Sequence, residues 1–375
     1  MSTKGCILIR FLGTMLLCAG IAPLVVWAQV SFMPREDFGA GSHPYGVAAG
    51  DFNGDAYMDL AVVNDLSNNV VILFGDGTGS FREGPSIELG RSPLSVTVGD
   101  FDGDGTTDLA VANRSENSVS ILLGNGDGTF REVQRVAVER SPLAIAVGDF
   151  NRDGIDDLAV PNFFSDSVSI LRGNGDGTFR PAENYEIGIK PESVAVGDFN
   201  GDGYQDLAFA CSGYTGRSVV AVLINNGDGT FGEHVRYEAG RHCSALDVGD
   251  FNGDGRLDVA VANRSDRNVT IMFGRGDGSF DENGTYPVGS NPRSVSVADF
   301  DGDRILDLAV VNETTNNVSI LLGNSDGTFQ PAQTFLVGRY PKFAVVADFN
   351  GDGQADLAVV NEREDSVSIL INTTR

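Results

Sequence analysis

Seven short stretches of the chain place oxygen-bearing side chains at alternate positions of a tight, glycine-rich turn. The first offers Asp51, Asn53, Asp55 and Asp59, with the backbone carbonyl of Tyr57 between the last two. The second offers Asp100, Asp102, Asp104, Thr106 and Asp108, and the third Asp149, Asn151, Asp153, Ile155 and Asp157. Asp198, Asn200, Asp202, Tyr204 and Asp206 follow, then Asp250, Asn252, Asp254, Arg256 and Asp258. The last two sets are Asp299, Asp301, Asp303, Ile305 and Asp307, and Asp348, Asn350, Asp352, Gln354 and Asp356. In every set the seventh-position residue contributes its carbonyl and the other four contribute side chains. Hard oxygen donors spaced this way suit Ca2+. The spacing matches the first nine positions of an EF-hand loop without its final Glu, and it predicts up to seven bound Ca2+ ions.

Charge supports this reading. The chain carries 52 acids against 26 bases, a net charge of −26, and 23 of those acids lie in the seven loops. The remaining acids nearly balance the bases, so the acidity is largely that of the candidate ligands. Without a cation, three or four carboxylates would crowd each loop. The competing reading is a set of Asx-turns that need no metal. The sixth loop position is Gly in five copies but Ala56 and Arg304 in the first and sixth. Gly there permits positive φ, so these two sites are expected to bind more weakly.

The same composition excludes other chemistry. A net charge this negative argues against nucleic acid, which calls for clustered Lys and Arg. Three His and four irregularly spaced Cys argue against a zinc centre.

The loops recur at intervals of 49 residues, with one of 52 between the fourth and fifth. A fixed period of this size signals a repeat architecture. Each unit reads as four strands. In the second, "LSVTVGDF" alternates, "LAVAN" is apolar, "NSVSILLG" alternates again, and "TFREVQRVAV" completes the unit. Gly, Asp and Asn turns separate these runs. Four antiparallel strands repeated seven times predict an all-β, seven-bladed β-propeller. The segment around Phe32–Phe38 is similar to a fourth strand and is expected to complete the last blade. Such closure hides two sheet edges.

Residues 1–28 contain Lys4 and Arg10, no acid, an apolar stretch and a small-residue end at Ala28. This pattern reads as a secretory signal peptide, leaving 29–375 as the propeller with no membrane span and no further domain. The protein is expected to be secreted or extracellular, in the periplasm or on a cell surface, and monomeric.

The "DFNGDGxxDLAV" unit resembles the FG-GAP/VCBS-type repeat of integrin α-chain propellers and many secreted bacterial proteins. The resemblance spans nearly all of 31–375. It implies a propeller, one Ca2+ per loop, and a role in adhesion or ligand binding.

At the opposite end of each first strand the chain places bases: Arg91, Arg140, Lys190, Arg241, Arg293, Arg339 and Lys342. The first blade has His43 there. These residues are the candidate site for an anionic ligand such as a uronic acid, a sialic acid or an acidic peptide. Pairing with nearby acids such as Glu139 and Glu192 is the alternative. Cys211 and Cys243 fall at neighbouring blade ends and are expected to form a disulfide in an exported chain. The repeated Phe52, Phe101, Phe150, Phe199, Phe251, Phe300 and Phe349 read as inter-blade packing. Arg275-Gly276-Asp277 reads as an ordinary hairpin turn. Sequons at Asn113, Asn268, Asn312 and Asn317 matter only where glycosylation occurs.

The expected function is a secreted, calcium-binding module recognising a protein or a surface polymer. The alternative is a calcium-stabilised lectin for acidic glycans, using Tyr45, Tyr214 or Tyr340 as stacking surfaces. A polysaccharide-active enzyme is a weaker third reading, because no nucleophile elbow, phosphate loop or paired His is present.

Overall fold

A computed structural model describes residues 28–213 and 218–374. The expected signal segment, apart from Ala28, and Tyr214 lie outside the described residues. Seven four-stranded antiparallel sheets form the blades, and the described residues contain no helix. Blade 1 runs Pro44–Gly50, Asp59–Asn64, Asn69–Gly75 and Phe81–Glu88. Its first strand is innermost and its fourth is outermost.

Burial follows this order. The second strand of every blade is buried at all six positions, as in Asp59–Asn64 and Asp108–Asn113. It is covered by neighbouring blades on both faces, which is why the sequence there is a continuous apolar run rather than an alternation. The fourth strand borders solvent, and Phe81–Glu88 is accordingly mostly exposed.

Blade 7 draws on both ends of the chain. Pro341–Ala347, Asp356–Asn361 and Ser366–Leu370 are joined by Glu36–Gly39, whose Asp37 sits opposite Ser368. The Met33 N–H donates to the Ile371 carbonyl at 2.8 Å. The repeated phenylalanines bolt each blade to the next. Phe52 meets Phe130 of blade 2 edge-on at 5.5 Å between centroids, and Phe349 meets Phe81 at 5.6 Å. Such pairs contribute about 0.5–1.5 kcal/mol each beyond burial.

Six of the seven first strands share one irregularity. In blade 1 the register jumps from Pro44 opposite Asn64 to Gly46 opposite Val63, leaving Tyr45 as an extra, bulged residue. The same shift occurs at Leu94, Glu192, Ser244 and Arg293, and in blade 7 it spans Lys342 and Phe343. A bulge re-aims the side chain it carries. Here it turns the residue toward the mouth of the central channel, on the face away from the aspartate loops.

Candidate metal centre

Each loop follows a first strand and folds around its own carboxylates. In blade 1 one Asp51 oxygen accepts backbone N–H bonds from Gly54 at 2.8 Å, Asp55 at 3.2 Å and Asn53 at 3.3 Å, and the other accepts from Ala56 at 2.9 Å. Asn53 accepts from the Asp55 N–H, and Asp55 from the Tyr57 N–H, both at 2.9 Å. Asp59 opens the second strand and is fully buried. Its two oxygens accept from Phe52 at 3.1 Å and Gly75 at 2.9 Å. The expected Asx-turns are therefore present. Asp55 and Asp59 keep acceptor capacity beyond these bonds, since an ionised carboxyl has about four acceptor sites.

The ninth-position aspartates are the informative members. Among the described residues none of the seven forms an ion pair with a base. Burial pushes Asp59, Asp108, Asp157, Asp206, Asp258 and Asp356 up to about 6 and Asp307 up to about 7. The loop's own carboxylates, such as Asp55 and Asp51 beside Asp59, add to the shift. A cation would relieve both causes. In the two loops with Asp at the third position, carboxylate oxygens of Asp100, Asp102 and Asp108, and of Asp299, Asp301 and Asp307, converge within 4.8 Å of one another. The other five loops carry Asn at that position, which offers an amide oxygen instead. The donor set fits Ca2+: all oxygen, and partly anionic.

The backbone shows where three loops are strained. Ala56 has φ 68° and Arg304 φ 71°, as the sequence predicts for a position that favours Gly. Arg152 of blade 3, with φ 58°, was not anticipated. It fills the fourth loop position, which is Gly in every other copy, and that contrast was the available signal.

Family models match the description "FG-GAP-like repeat" over residues 51–111, 100–160, 162–209, 198–261, 250–310 and 299–359. The chain belongs to the FG-GAP-like repeat family. No curated protein matches it. Among solved structures, BBS1N in complex with ARL6DN is similar at a TM-score of 0.66 and 14% identity, covering 92% of this chain and 98% of that one. Virginiamycin B lyase from Staphylococcus aureus gives 0.61 and 13%, covering 91% and 99%. A putative 6-phosphogluconolactonase from Bacteroides uniformis gives 0.58 and 16%, covering 78% and 85%. At these identities the likeness is one of fold, which binding proteins and enzymes share.

In this FG-GAP-like repeat protein the bases of the opposite face lie where the sequence puts them, but most are paired. Arg91 meets Glu116 at 3.6 Å, Arg241 meets Asp266 at 2.7 Å and Arg339 meets Glu364 at 3.0 Å. Arg293 binds Glu313, while Lys342 reaches both Glu313 at 3.2 Å and Glu362 at 3.1 Å. Arg140 donates to the Phe164 carbonyl at 3.0 Å, and the Lys190 ammonium lies 5.6 Å from the Phe163 ring centre. The acids come from the hairpin tips between second and third strands, and they offset locally the positive field expected from the bases alone.

The expected Cys211–Cys243 disulfide is corrected. The two residues are buried neighbours, but both are free thiols. The Cys243 sulfur faces the Cys211 carbonyl at 3.1 Å rather than its sulfur. Arg275 pairs with Asp281, and Asp277 accepts the Ser279 N–H at 3.0 Å, so this tripeptide has the hairpin-turn geometry expected. Asn113 and Asn312 are fully buried, closing two of the sequons. They belong to a set the sequence reading missed. Asn64, Asn162, Asn263 and Asn361 likewise end second strands and donate across to the third, as Asn162 does to Ser169 at 2.9 Å.

Proposed function

We propose that the chain is an exported, calcium-stabilised β-propeller that binds a protein or a surface polymer rather than transforming a substrate. Export rests on the acid-free apolar character of residues 1–28. Among the described residues no helix is long and apolar enough to cross a membrane. The observation that carries the calcium reading is the sevenfold recurrence of a buried aspartate that forms no ion pair among the described residues, set among further oxygen donors. Family membership and a propeller neighbour solved in complex with a protein support the binding role.

Calcium in this reading supplies charge and cross-links the turn between the first two strands, so it stiffens one face and leaves the other to recognise. The loop residues hold the ion; the bulged residues of the opposite face meet the partner. Affinity capture from the native surface, with calcium and with chelator, tests the role together with an array of glycans and acidic polymers. Calcium-dependent capture of a protein or a polymer is expected. Turnover of an arrayed polymer, or capture unaffected by chelator and by substitutions on the opposite face, would overturn the proposal.

A further inference from the structure

The innermost strand of each blade has a partner strand on one edge only, and its other edge faces the central channel. The channel has a volume of about 450 Å³, within the range of small-ligand sites. Its walls are mostly aliphatic, with Val98, Val147, Val196 and Val248 in one ring close to the aspartate loops. The side-chain oxygens on its lining are the hydroxyls of Ser95, Thr97, Ser193 and Ser296 and a single carboxylate, Asp247.

Asp247 breaks the repetition of the chain. The same place in the other first strands is held by Ala48, Thr97, Ala146, Ala195, Ser296 and Val345, so the fold does not call for an acid there. Among the described residues Asp247 forms no ion pair with a base, and burial pushes its carboxyl up to about 6. A carboxylate drawn from water without a cation is costly. Each of its oxygens accepts one backbone N–H, from Val248 and from Val297 of the next blade, both at 2.9 Å. These bonds fix the group in place between blades 5 and 6. An ionised carboxyl has about four acceptor sites, so capacity for a further donor remains.

This geometry selects among cations. A guanidinium docks best through paired N–H bonds to both oxygens, and here each oxygen is already engaged. A divalent ion wants six or more oxygens, and walls of valine do not supply them. An ammonium needs one good contact, and an alkyl chain behind it gains by covering the valines. Entry is favoured as well. The first aspartate of every loop directly follows a first strand, from Asp51 to Asp348, so acids surround the end of the channel nearest Asp247 and draw cations toward it.

We propose that the central channel binds a linear aliphatic primary amine, with its ammonium on the Asp247 carboxylate and its chain along Val194, Val196 and Val248. The site is separate from the calcium loops and from the face that the binding role assigns to recognition.

Titration calorimetry of the folded chain with n-hexylamine near neutral pH, in calcium and in chelator, tests it. A primary ammonium is fully charged there. In both buffers it is expected to bind at least about tenfold more tightly than 1-hexanol, which keeps the chain and loses the charge. Asp247→Ser places there the residue that blade 6 already holds, and it should weaken n-hexylamine by about tenfold or more. Glu83→Ser, on the exposed outer strand of blade 1, should change nothing. Circular dichroism and melting establish that each variant is folded. Should Asp247→Ser not fold, the amine and the alcohol still decide on the unaltered chain. No binding of n-hexylamine, equal binding of 1-hexanol, or binding undiminished in folded Asp247→Ser would overturn the proposal. None of those results would bear on whether the loops hold calcium.

Discussion

Phe32 packs edge-on against Phe300, with ring centres 6.5 Å apart, although 268 residues separate them. In six blades this contact is made to a phenylalanine from a third-to-fourth-strand hairpin. In blade 7 the N-terminal segment supplies the ring, and Phe32 also touches Phe335 at 4.8 Å. The ring of blades is closed by side-chain packing as well as by strand pairing.

Phe32→Ala should therefore destabilise the whole propeller by about 2 kcal/mol, less than a fully buried Phe because Phe32 is only partly buried. Phe164→Ala, which removes an exposed ring, should cost under about 0.5 kcal/mol. Urea unfolding of the two variants decides. Equal midpoints would show that the closure carries no load.

The ninth-position aspartates give the metal-free protein an unusual pH dependence. Their folded pKa values are raised from 3.8 to about 6, and to about 7 for Asp307. A raised carboxyl favours folding fully below about pH 3.8 and loses that contribution as pH climbs through the folded value. Asp247, the carboxylate lining the central channel, is pushed by burial to about 6 and acts with the same sign. Glu313 opposes them, held low by Arg293 and Lys342 against its burial, but only near or below 4.5. In chelator the melting temperature should rise from about pH 7 to about pH 5. In calcium, which needs the ionised form, it should fall over the same interval. Parallel slopes would contradict the assignment.

Loop strain predicts opposite signs for two exchanges. Arg304→Gly removes a non-glycine residue from φ 71° and should stabilise the metal-free chain by about 1 kcal/mol. Gly353→Ala in blade 7 imposes a side chain at φ +83° with open space around it, so its cost of about 1 kcal/mol comes from the backbone alone. Arg152→Gly should stabilise less, because it also removes the Arg152 guanidinium from the Tyr204 ring 4.0 Å away. Chemical denaturation in chelator reads all three, and a destabilising Arg304→Gly would refute the strain.

Cys211 and Cys243 should be inert in the native state. Burial pushes both thiols well above their ordinary range, Cys243 to about 12, and it is the thiolate that reacts. A thiol reagent near neutral pH should label neither residue in the folded protein and both after denaturation without reductant. No labelling after denaturation would mean that the disulfide forms after all.

The blades and loops were legible because their determinants are local. A strand that alternates, a turn of Gly and Asp and a nine-residue ligand pattern all fall within one repeat. That the segment around Phe32–Phe38 completes the last blade was legible too, since it is similar to a fourth strand, whereas the packing of Phe32 on Phe300 was not. The mouth was not. Arg241 finds Asp266, and Arg339 finds Glu364, across the 25 residues of a strand and a hairpin tip. Glu192 finds Arg264 from the neighbouring blade, 72 residues away. Reading the bases without those partners gave an anion site; pairing turns it into a balanced wall. The bulges escaped for a related reason, because a register shift depends on the partner strand as well as on the Pro that precedes it. Asn64 and its equivalents looked like turn residues, and only packing reveals them as buried strand ends.

Calcium is the proposed stabiliser of all seven blades, and a thermal melt across a calcium titration at neutral pH tests that most directly. Each ion that binds only the folded chain adds about 2.7 kcal/mol at a hundredfold excess over its Kd. The melting temperature should therefore climb steeply with calcium, and it should climb less when Asp307→Asn weakens the loop of blade 6. A melt that is the same in calcium and in chelator would contradict the account.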